Sequence, residues 1–172
     1  MSGKDLTVTF QKGDIHLIDS NQTDLVYPFC DNGQQIDNQH FISTANGSRF
    51  ELKSNDIIWR IGSQSFVKFE TENQIWIHSG SLLICLENEK SITFKSRISE
   101  ATFSGKGTII IESLENGGFK FIPLEGEGVL KTEMDEPFSV LGGRLILVLG
   151  SPSYLGSSYD IDLMLLLQSS KL

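Results

Sequence analysis

The chain has 172 residues, of which 39% are hydrophobic and 21% are charged, with 14 Lys and Arg against 22 Asp and Glu. A chain of this length supports one substantial core and rarely two, so we expect a single soluble domain over residues 1–172. The formal net charge of -8 is spread along the chain, which excludes the basic stripe of a protein that binds nucleic-acid phosphates.

Membrane, secretion and redox signals are few. A membrane-spanning helix needs roughly 18 apolar residues, whereas the run Leu163–Leu167 has five. The first ten residues lack the apolar segment and cleavage site of a signal peptide, so a cytoplasmic chain and a trimmed secreted form both stay open. Cys30 and Cys85 lack CxxC spacing, and either two buried free thiols or one disulfide between them fits.

Strand signals dominate the chain as short β-branched and aromatic runs bounded by Gly, Asn, Asp and Ser. A spacing of about ten residues per run is typical of β-sandwiches, barrels and solenoids and leaves little room for helix. The predicted strands are Leu6–Phe10, Ile15–Ile18, Arg49–Lys53, Ile57–Ile61, Phe66–Glu70, Gln74–His78, Leu82–Leu86, Ser91–Lys95, Glu100–Phe103, Thr108–Ser113, Phe119–Ile122, Val129–Thr132, Phe138–Leu141 and Leu145–Leu149.

The character of individual strands follows from their side-chain pattern. Arg49–Lys53 alternates charged and apolar residues, which is the period-two pattern of a half-buried strand. Thr108–Ile111 and Leu145–Leu149 are apolar on both faces and are predicted to cross the middle of the domain. Asn116-Gly117 can adopt the positive φ angles of a tight turn, so it predicts a hairpin between two strands.

The remaining segments read as loops and one helix. Asp160 can cap a C-terminal helix over Ile161–Gln168, although its nearly all-round apolar character also fits a last strand. The polar stretch Asp19–Asn38 and the stretch Ser151–Ser158 are predicted loops. Gly-Ser pairs at 47–48, 62–63 and 80–81 recur every 15 to 18 residues, as expected for the bends of a β-solenoid and also for ordinary sandwich turns.

Catalytic and metal-binding patterns are absent from the sequence. His16, His40 and His78 match neither a paired-histidine strand nor a His-Glu-x-x-His helix, so we expect ordinary surface or half-buried roles. Glu112 and Glu125 could form a chance glycosidase pair, but the acids alternate with apolar residues as on a solvated face. We therefore predict no enzyme, no catalytic residue, no metal and no cofactor.

Two glycine-rich segments resemble nucleotide motifs only in part. Gly105-Lys-Gly-Thr108 lacks the earlier glycine and the following helix of a phosphate loop, and is predicted to be a turn with a close backbone approach. Gly126-Glu-Gly128 lacks the third glycine of a dinucleotide fingerprint. Neither segment therefore predicts a nucleotide site.

The aromatic residues read mainly as core. We expect this role for six phenylalanines at alternating strand positions, namely Phe50, Phe66, Phe94, Phe103, Phe119 and Phe121. Trp59 and Trp76 also fall in apolar runs; exposure of both on one flat face beside acids would instead favour carbohydrate binding. Arg60 interrupts an apolar strand and is predicted to be a structural anchor that needs an acidic or carbonyl partner.

Six segments carry small residues and glycines in a characteristic order. Thr44–Leu52 is similar to T-x-x-G-S-x-x-x-L, and Asp56–Phe66 to D-x-x-x-R-x-G-x-x-S/T. The others are His78–Leu83, Ala101–Thr108, Leu124–Val129 and Gly142-Gly143. Together they resemble the FecR domain, the extracytoplasmic β domain of sigma-factor regulators, over residues 44–149 and more weakly over 6–43. Gly105-Lys-Gly107 and Gly143-Arg144 depart from the family pattern.

The resemblance implies an all-β, compact β-solenoid or β-roll core at 44–149, N-terminal strands at 6–43 and a C-terminal loop and helix at 150–172. A two-sheet sandwich or jelly roll is the alternative. It also implies a non-enzymatic binding or sensing module of the bacterial envelope with a protein or envelope ligand as partner, and only weakly implies sigma-factor signalling. A carbohydrate-binding or carbohydrate-active β protein and a structural, oligomer-forming subunit remain the competing functions, and the binding residues and oligomeric state are unassigned.

Overall fold

The computed structural model describes residues 6–28 and 31–169. Within them, fifteen strands form one continuous sheet, followed by one helix. The strands are β1 (Leu6–Lys12), β2 (Ile15–Asp19), β3 (Val26–Pro28), β4 (Gln35–Ile36), β5 (His40–Thr44), β6 (Arg49–Ser54), β7 (Ile57–Ile61), β8 (Phe66–Thr71), β9 (Gln74–Ser79), β10 (Ser81–Lys95), β11 (Glu100–Ser113), β12 (Phe119–Lys131), β13 (Phe138–Leu141), β14 (Arg144–Leu149) and β15 (Tyr154–Asp160). The helix is α1 (Leu163–Ser169). The all-β prediction is confirmed.

The sheet is rolled into two facing layers. Layer A contains β4, β1, β6, β7, the first half of β10, the second half of β11, the first half of β12, β14 and β15. Layer B contains β3, β2, β5, β8, β9, the other halves of β10, β11 and β12, and β13. Trp59 of layer A meets Phe69 of layer B with ring centroids 5.1 Å apart, so the two inner faces share one core.

Three long strands join the layers because each of them bends at its middle. Gly105 and Gly107 of β11 pair with Gly128 and Gly126 of β12. A Cβ at Gly126 would lie 2.2 Å from the backbone oxygen of Lys106, and one at Gly107 would lie 2.2 Å from that of Glu125. Only glycine permits such a close approach of two backbones. The predicted close approach at Gly105–Gly107 is therefore right, but the segment is a bend inside one strand and the predicted turn is wrong.

The Gly-Ser pairs lie where the chain crosses from one layer to the other. Thr44 Oγ1 donates to the oxygen of Gly62 at 2.6 Å and accepts from the amide of Ser65 at 2.9 Å. The hydroxyl of Ser65 in turn accepts from the amide of Ser81 at 3.1 Å. Each buried hydroxyl thus satisfies backbone groups of the neighbouring crossing, and the repeat in the sequence marks successive crossings stacked at one end of the fold.

The core follows from the alternation of each strand. In β6, β7 and β8 every second side chain is buried between the layers. Ile109, Ile110 and Ile111 are all buried, as predicted for a strand covered on both faces. Five of the six phenylalanines expected in the core are buried: Phe50, Phe94, Phe103, Phe119 and Phe121. Phe66 is the exception, since it lies half-buried on the outer face of layer B.

Several sequence predictions are corrected. The predicted loops Asp19–Asn38 and Ser151–Ser158 contain β3, β4 and most of β15, whose short, polar or glycine-containing sequences carry weak strand signals. Strand β5 was not predicted. Six predicted strands merge in pairs into β10, β11 and β12, because glycines and polar residues that usually end strands here permit bends instead.

The helix and the hairpin are confirmed with different details. The C-terminal helix begins at Leu163 instead of Ile161, and its cap is Asp162, which accepts from the amide of Leu165 at 3.1 Å. Asp160 ends β15. In the turn between β11 and β12, Gly117 has a φ of 92°, and the side chain of Asn116 accepts from the amide of Gly118 at 3.0 Å.

The strand pairing also bears on the architecture. Among the described strand pairs, only β9 with β10 is parallel, whereas a regular solenoid stacks parallel rungs. The fold is therefore a roll of mainly antiparallel strands with the two facing layers of a sandwich. Cys85 is half-buried and forms no disulfide with another described residue. Cys30 lies outside the described residues, so the choice between thiols and a disulfide stays a prediction.

Candidate binding surfaces

A row of aromatic and cationic side chains crosses the outer face of layer B. Its members are direct cross-strand neighbours on β5, β8, β9 and β10. In order across the sheet they are Phe41, Lys68, Trp76 and Lys95. Side chains on neighbouring strands at the same register lie within contact distance, so the residues form one continuous strip. Together with Phe66, which packs against Phe41 and Trp76, we call this strip the aromatic-lysine row.

The aromatic rings of the row pack against one another on the surface. Phe41 stacks on Phe66 with centroids 5.1 Å apart and planes at 17°. Trp76 meets Phe41 edge-on at 6.0 Å and Phe66 at 6.3 Å, and the exposed His78 lies 5.4 Å from the indole. Aromatic groups held in this way form a rigid apolar platform on a face that otherwise contacts water.

The two lysines of the row differ in their partners. The Lys95 ammonium lies 3.2 Å from Glu70 and 3.6 Å from Glu100, so its charge is already neutralised. The Lys68 ammonium lies 5.1 Å from the centroid of the Phe41 ring. Within the described residues Lys68 has no carboxylate partner, which makes it an available cation on a chain with a net charge of -8.

A shallow cleft of about 400 Å³ continues the row beyond Trp76. The turn between β10 and β11 forms one wall and presents the half-exposed side chain of Ile98. In this turn the Ser96 hydroxyl donates to the oxygen of Gly117 at 2.6 Å, and the Arg97 guanidinium donates to the oxygen of Glu115. The turn is therefore fixed to its neighbour, and the cleft has a defined wall.

The outer face of layer A is built from paired polar groups. Arg60 is an anchor as predicted, though exposed: its guanidinium donates to Glu51 at 2.7 Å, and Thr9 donates to the same carboxylate at 2.8 Å. Burial alone raises the pKa of Glu51, but the hydrogen bonds from Arg60 and Thr9 and the charge of Arg60 outweigh it, so that the pKa lies below its ordinary value.

The ends of the sheet offer free strand edges. In the described part of the chain β15 pairs only with β14, and β13 only with β12. Tyr154 and Tyr159 of β15 are 45% and 54% exposed. An edge strand carries unpaired backbone groups that can accept a strand from another chain.

The candidate polar residues are spread over the fold and pair with separate neighbours. His40 pairs with Asp37 at 2.8 Å, and His16 and His78 lie elsewhere on layer B. Glu112 contacts Lys120 at 3.1 Å and Glu125 contacts Thr108 at 2.8 Å. Four residues of β11 separate these contacts, about 13 Å along the strand, which exceeds the spacing of a glycosidase pair. In residues 6–28 and 31–169 no three His, Cys, Asp or Glu side chains converge as metal ligands.

The pair of Asp37 and His40 has a local electrostatic consequence. Burial alone raises the pKa of Asp37, but a backbone hydrogen bond from Gln39 and the hydrogen bond and charge of His40 outweigh it. The pKa of Asp37 therefore lies below its ordinary value.

No helix in the described residues is long and apolar enough to span a membrane.

The two tryptophans lie on opposite faces. Trp59 is fully buried in the core at 0% exposure, whereas Trp76 is half-buried on the outer face. Trp76 lies beside Lys95, which contacts Glu70 and Glu100. Sequence reasoning missed the row because β5 with Phe41 was not predicted, Phe66 was expected in the core, and Trp76 was assigned to an apolar run. The alternation of Phe66-Val-Lys-Phe-Glu70 could have predicted part of the row, because it places Phe66 and Lys68 on one face.

Comparison with solved structures finds a similar fold in two crystal structures of a candidate anti-sigma factor from Parabacteroides distasonis ATCC 8503. One has a TM-score of 0.55 and 9% identity over 71% of this chain and 60% of the other. The second has a TM-score of 0.57 and 11% identity over 75% and 64%. This chain thus spans less than two thirds of those proteins, and the likeness concerns the fold alone. No family model matches the sequence, and no curated protein matches it significantly.

Proposed function

We propose that the chain is a non-enzymatic, FecR-like binding module of the bacterial cell envelope that recognises a protein partner. The ordered segments between residues 44 and 149 support the family assignment. The fold likeness to a candidate anti-sigma factor supports a role in regulation or signalling. Neither the ordered segments nor the fold likeness involves a catalytic residue.

The observation that carries the proposal is the free edge of β15. This strand has seven residues. Because the amide of Leu155 already donates to Asp135 Oδ2 at 2.5 Å, a partner strand would pair along residues 156–160. Its two exposed tyrosines offer amphipathic side chains of the kind that is enriched in interfaces. The partner is therefore expected to add a strand beside β15 and to pack against Tyr154 and Tyr159.

Site-specific photocrosslinking in the bacterium of origin tests this proposal. A benzophenone amino acid at Tyr159 should give a discrete adduct with a second protein in the envelope fraction. Val129 is the matched control, because it is 38% exposed but lies on β12, which is paired on both sides. An adduct of equal yield at both positions, or a chain confined to the cytoplasmic fraction, would contradict the proposal.

The same experiment separates the competing structural role. A crosslink between two copies of this chain at Tyr159, with no second protein, would favour an oligomer-forming subunit. The molecular mass of the adduct on a denaturing gel distinguishes the two results, since one copy has a mass of 19.1 kDa.

A further inference from the structure

We propose that the aromatic-lysine row on layer B is a carbohydrate-binding surface for glycans that carry carboxylate groups, such as oligouronates. The ligand and the surface are both distinct from the protein partner and the β15 edge of the proposed function. The proposal rests on the placement of Phe41, Phe66, Lys68 and Trp76 on one outward face.

The aromatic part of the surface suits the apolar face of a sugar ring. Phe41, Phe66 and Trp76 hold one another at centroid distances of 5.1 to 6.3 Å, so a ligand would meet a preorganised platform and would order few side chains on binding. The electron-rich faces of aromatic rings attract the slightly positive C–H groups of a sugar. From Phe41 to Lys95 the row spans three strand spacings, about 14 Å, which suits a short oligosaccharide.

The charged part of the surface selects an anion. Lys68 has no carboxylate partner in the described residues, and the Phe41 ring holds its ammonium on the outer face. Lys95 of the same row instead contacts Glu70 and Glu100. A carboxylate on the ligand would form the ion pair that no described residue forms with Lys68.

The surface favours a glycan over a peptide strand or a nucleic acid. The main-chain groups of β5, β8 and β9 are already paired within the sheet, so a peptide would find no backbone partners there. A single-stranded nucleic acid needs several cations along its phosphates, whereas this row has one unpaired ammonium on an acidic chain. The exposed His78 beside Trp76 can serve a sugar hydroxyl as donor or acceptor.

Isothermal titration calorimetry with hexagalacturonate as the probe tests the proposal on the whole chain. The wild-type protein should bind the uronate, bind neutral maltohexaose more weakly, and lose uronate affinity as salt is raised. Trp76→Ala should lower the affinity roughly tenfold or more, because it removes most of the stacking area. Lys68→Gln should lower uronate affinity about threefold and leave maltohexaose binding unchanged, as expected for one exposed ion pair.

Two variants control for folding and for nonspecific charge. Trp76→Phe keeps an aromatic ring and should retain most of the affinity with an unchanged unfolding curve. Lys131→Gln removes a lysine from the same layer outside the row and should leave binding unchanged. Absence of uronate binding, equal loss in Lys131→Gln and Lys68→Gln, or tighter binding of a thymidine oligonucleotide or acidic peptide at Trp76 would overturn the proposal. Crosslinking at Tyr159 should be unaffected by Trp76→Ala, so the two proposals fail separately.

Discussion

The outward faces of the two layers use the same alternating strands but opposite chemistry. On layer A, Glu51 accepts from Arg60 and Thr9, and Glu112 pairs with Lys120 at 3.1 Å. On layer B, three aromatic rings and an unpaired lysine occupy the corresponding outward positions. Cross-strand pairs of opposite charge already satisfy one another, whereas these half-buried aromatic rings keep part of their surface for contact with another molecule. The comparison supports the proposed glycan surface on layer B.

The largest expected effect comes from the bends that connect the two faces. Gly126→Val should destabilise the protein by about 4 kcal/mol or more, because the new side chain clashes with the Lys106 backbone and opposes a φ of 95°. Urea unfolding followed by circular dichroism measures the loss. Gly143→Ala is the control: its φ is 88°, nothing lies within 4 Å of its Cβ, and it should cost only about 1 to 2 kcal/mol. Equal losses would show that the close approach is not required.

Trp59 lies on an inner face of the fold, and Trp76 lies on the outer face of layer B. Trp59→Ala should cost about 3 to 5 kcal/mol, because it leaves a cavity at a fully buried position. Trp76→Ala should cost about 1 kcal/mol, because part of its ring already contacts water. The free energies of unfolding of both variants in urea test this, and a larger loss for Trp76→Ala would contradict the assignment of the faces.

A smaller effect is expected where layer A pairs its own charges. Arg60→Gln should cost no more than about 1 kcal/mol at neutral pH, since the ion pair is partly exposed. Because the folded pKa of Glu51 lies below its ordinary 4.5, its stabilisation is present above that value and is lost as the pH falls through the folded pKa.

The pH dependence gives a second measurement of the same pair. In Arg60→Gln the pKa of Glu51 should rise, and the stability difference from wild type should shrink as the pH is lowered from 7 to 3. A carboxyl-detected NMR titration follows Glu51 directly. Lys106→Gln is the control, because its 3.9 Å pair with Glu127 is largely exposed; a pH dependence like that of Arg60→Gln would refute the assigned cause.

The smallest effect on stability is expected at Lys68. Its contact with the Phe41 ring at 5.1 Å contributes about 0.5 to 1 kcal/mol at an exposed site. Lys68→Gln should therefore leave the urea midpoint almost unchanged while it weakens uronate binding. A loss of stability above about 2 kcal/mol would mean that Lys68 is needed to stabilise the fold, and it would contradict the proposed role of Lys68 as a ligand-binding cation.

The strands with strict alternation could be predicted from the sequence, and the edges and bends could not. Arg49–Lys53 and Ile57–Ile61 correspond to β6 and β7 within one residue, because their apolar residues share one face and the flanking residues favour turns. Strand β4 pairs with the distant β1, with Leu6 opposite Ile36, whereas β3 and β15 pair with the strands that precede them. The short, polar or glycine-containing sequences of these three strands carry little local strand propensity.

The candidate surface could not be predicted in full from the sequence, for a related reason. The alternation of Phe66-Val-Lys-Phe-Glu70 indicates that Phe66 shares a face with Lys68, but it does not show which strands lie beside β8. Phe41 and Trp76 become one surface only through the pairing of β5, β8 and β9. The glycine steps at 105–107 and 126–128 look like turns in the sequence and become bends only because they are adjacent in the sheet.

Acrylamide quenching of single-tryptophan variants tests the recognition face most directly. In Trp59→Phe the remaining Trp76 should be quenched by acrylamide and protected when hexagalacturonate is added. In Trp76→Phe the remaining Trp59 should resist acrylamide and should not respond to the uronate, because it lies in the core. Quenching of Trp59 with protection by the ligand, or a Trp76 signal that the ligand leaves unchanged, would contradict the assignment of the outer face of layer B as the recognition surface.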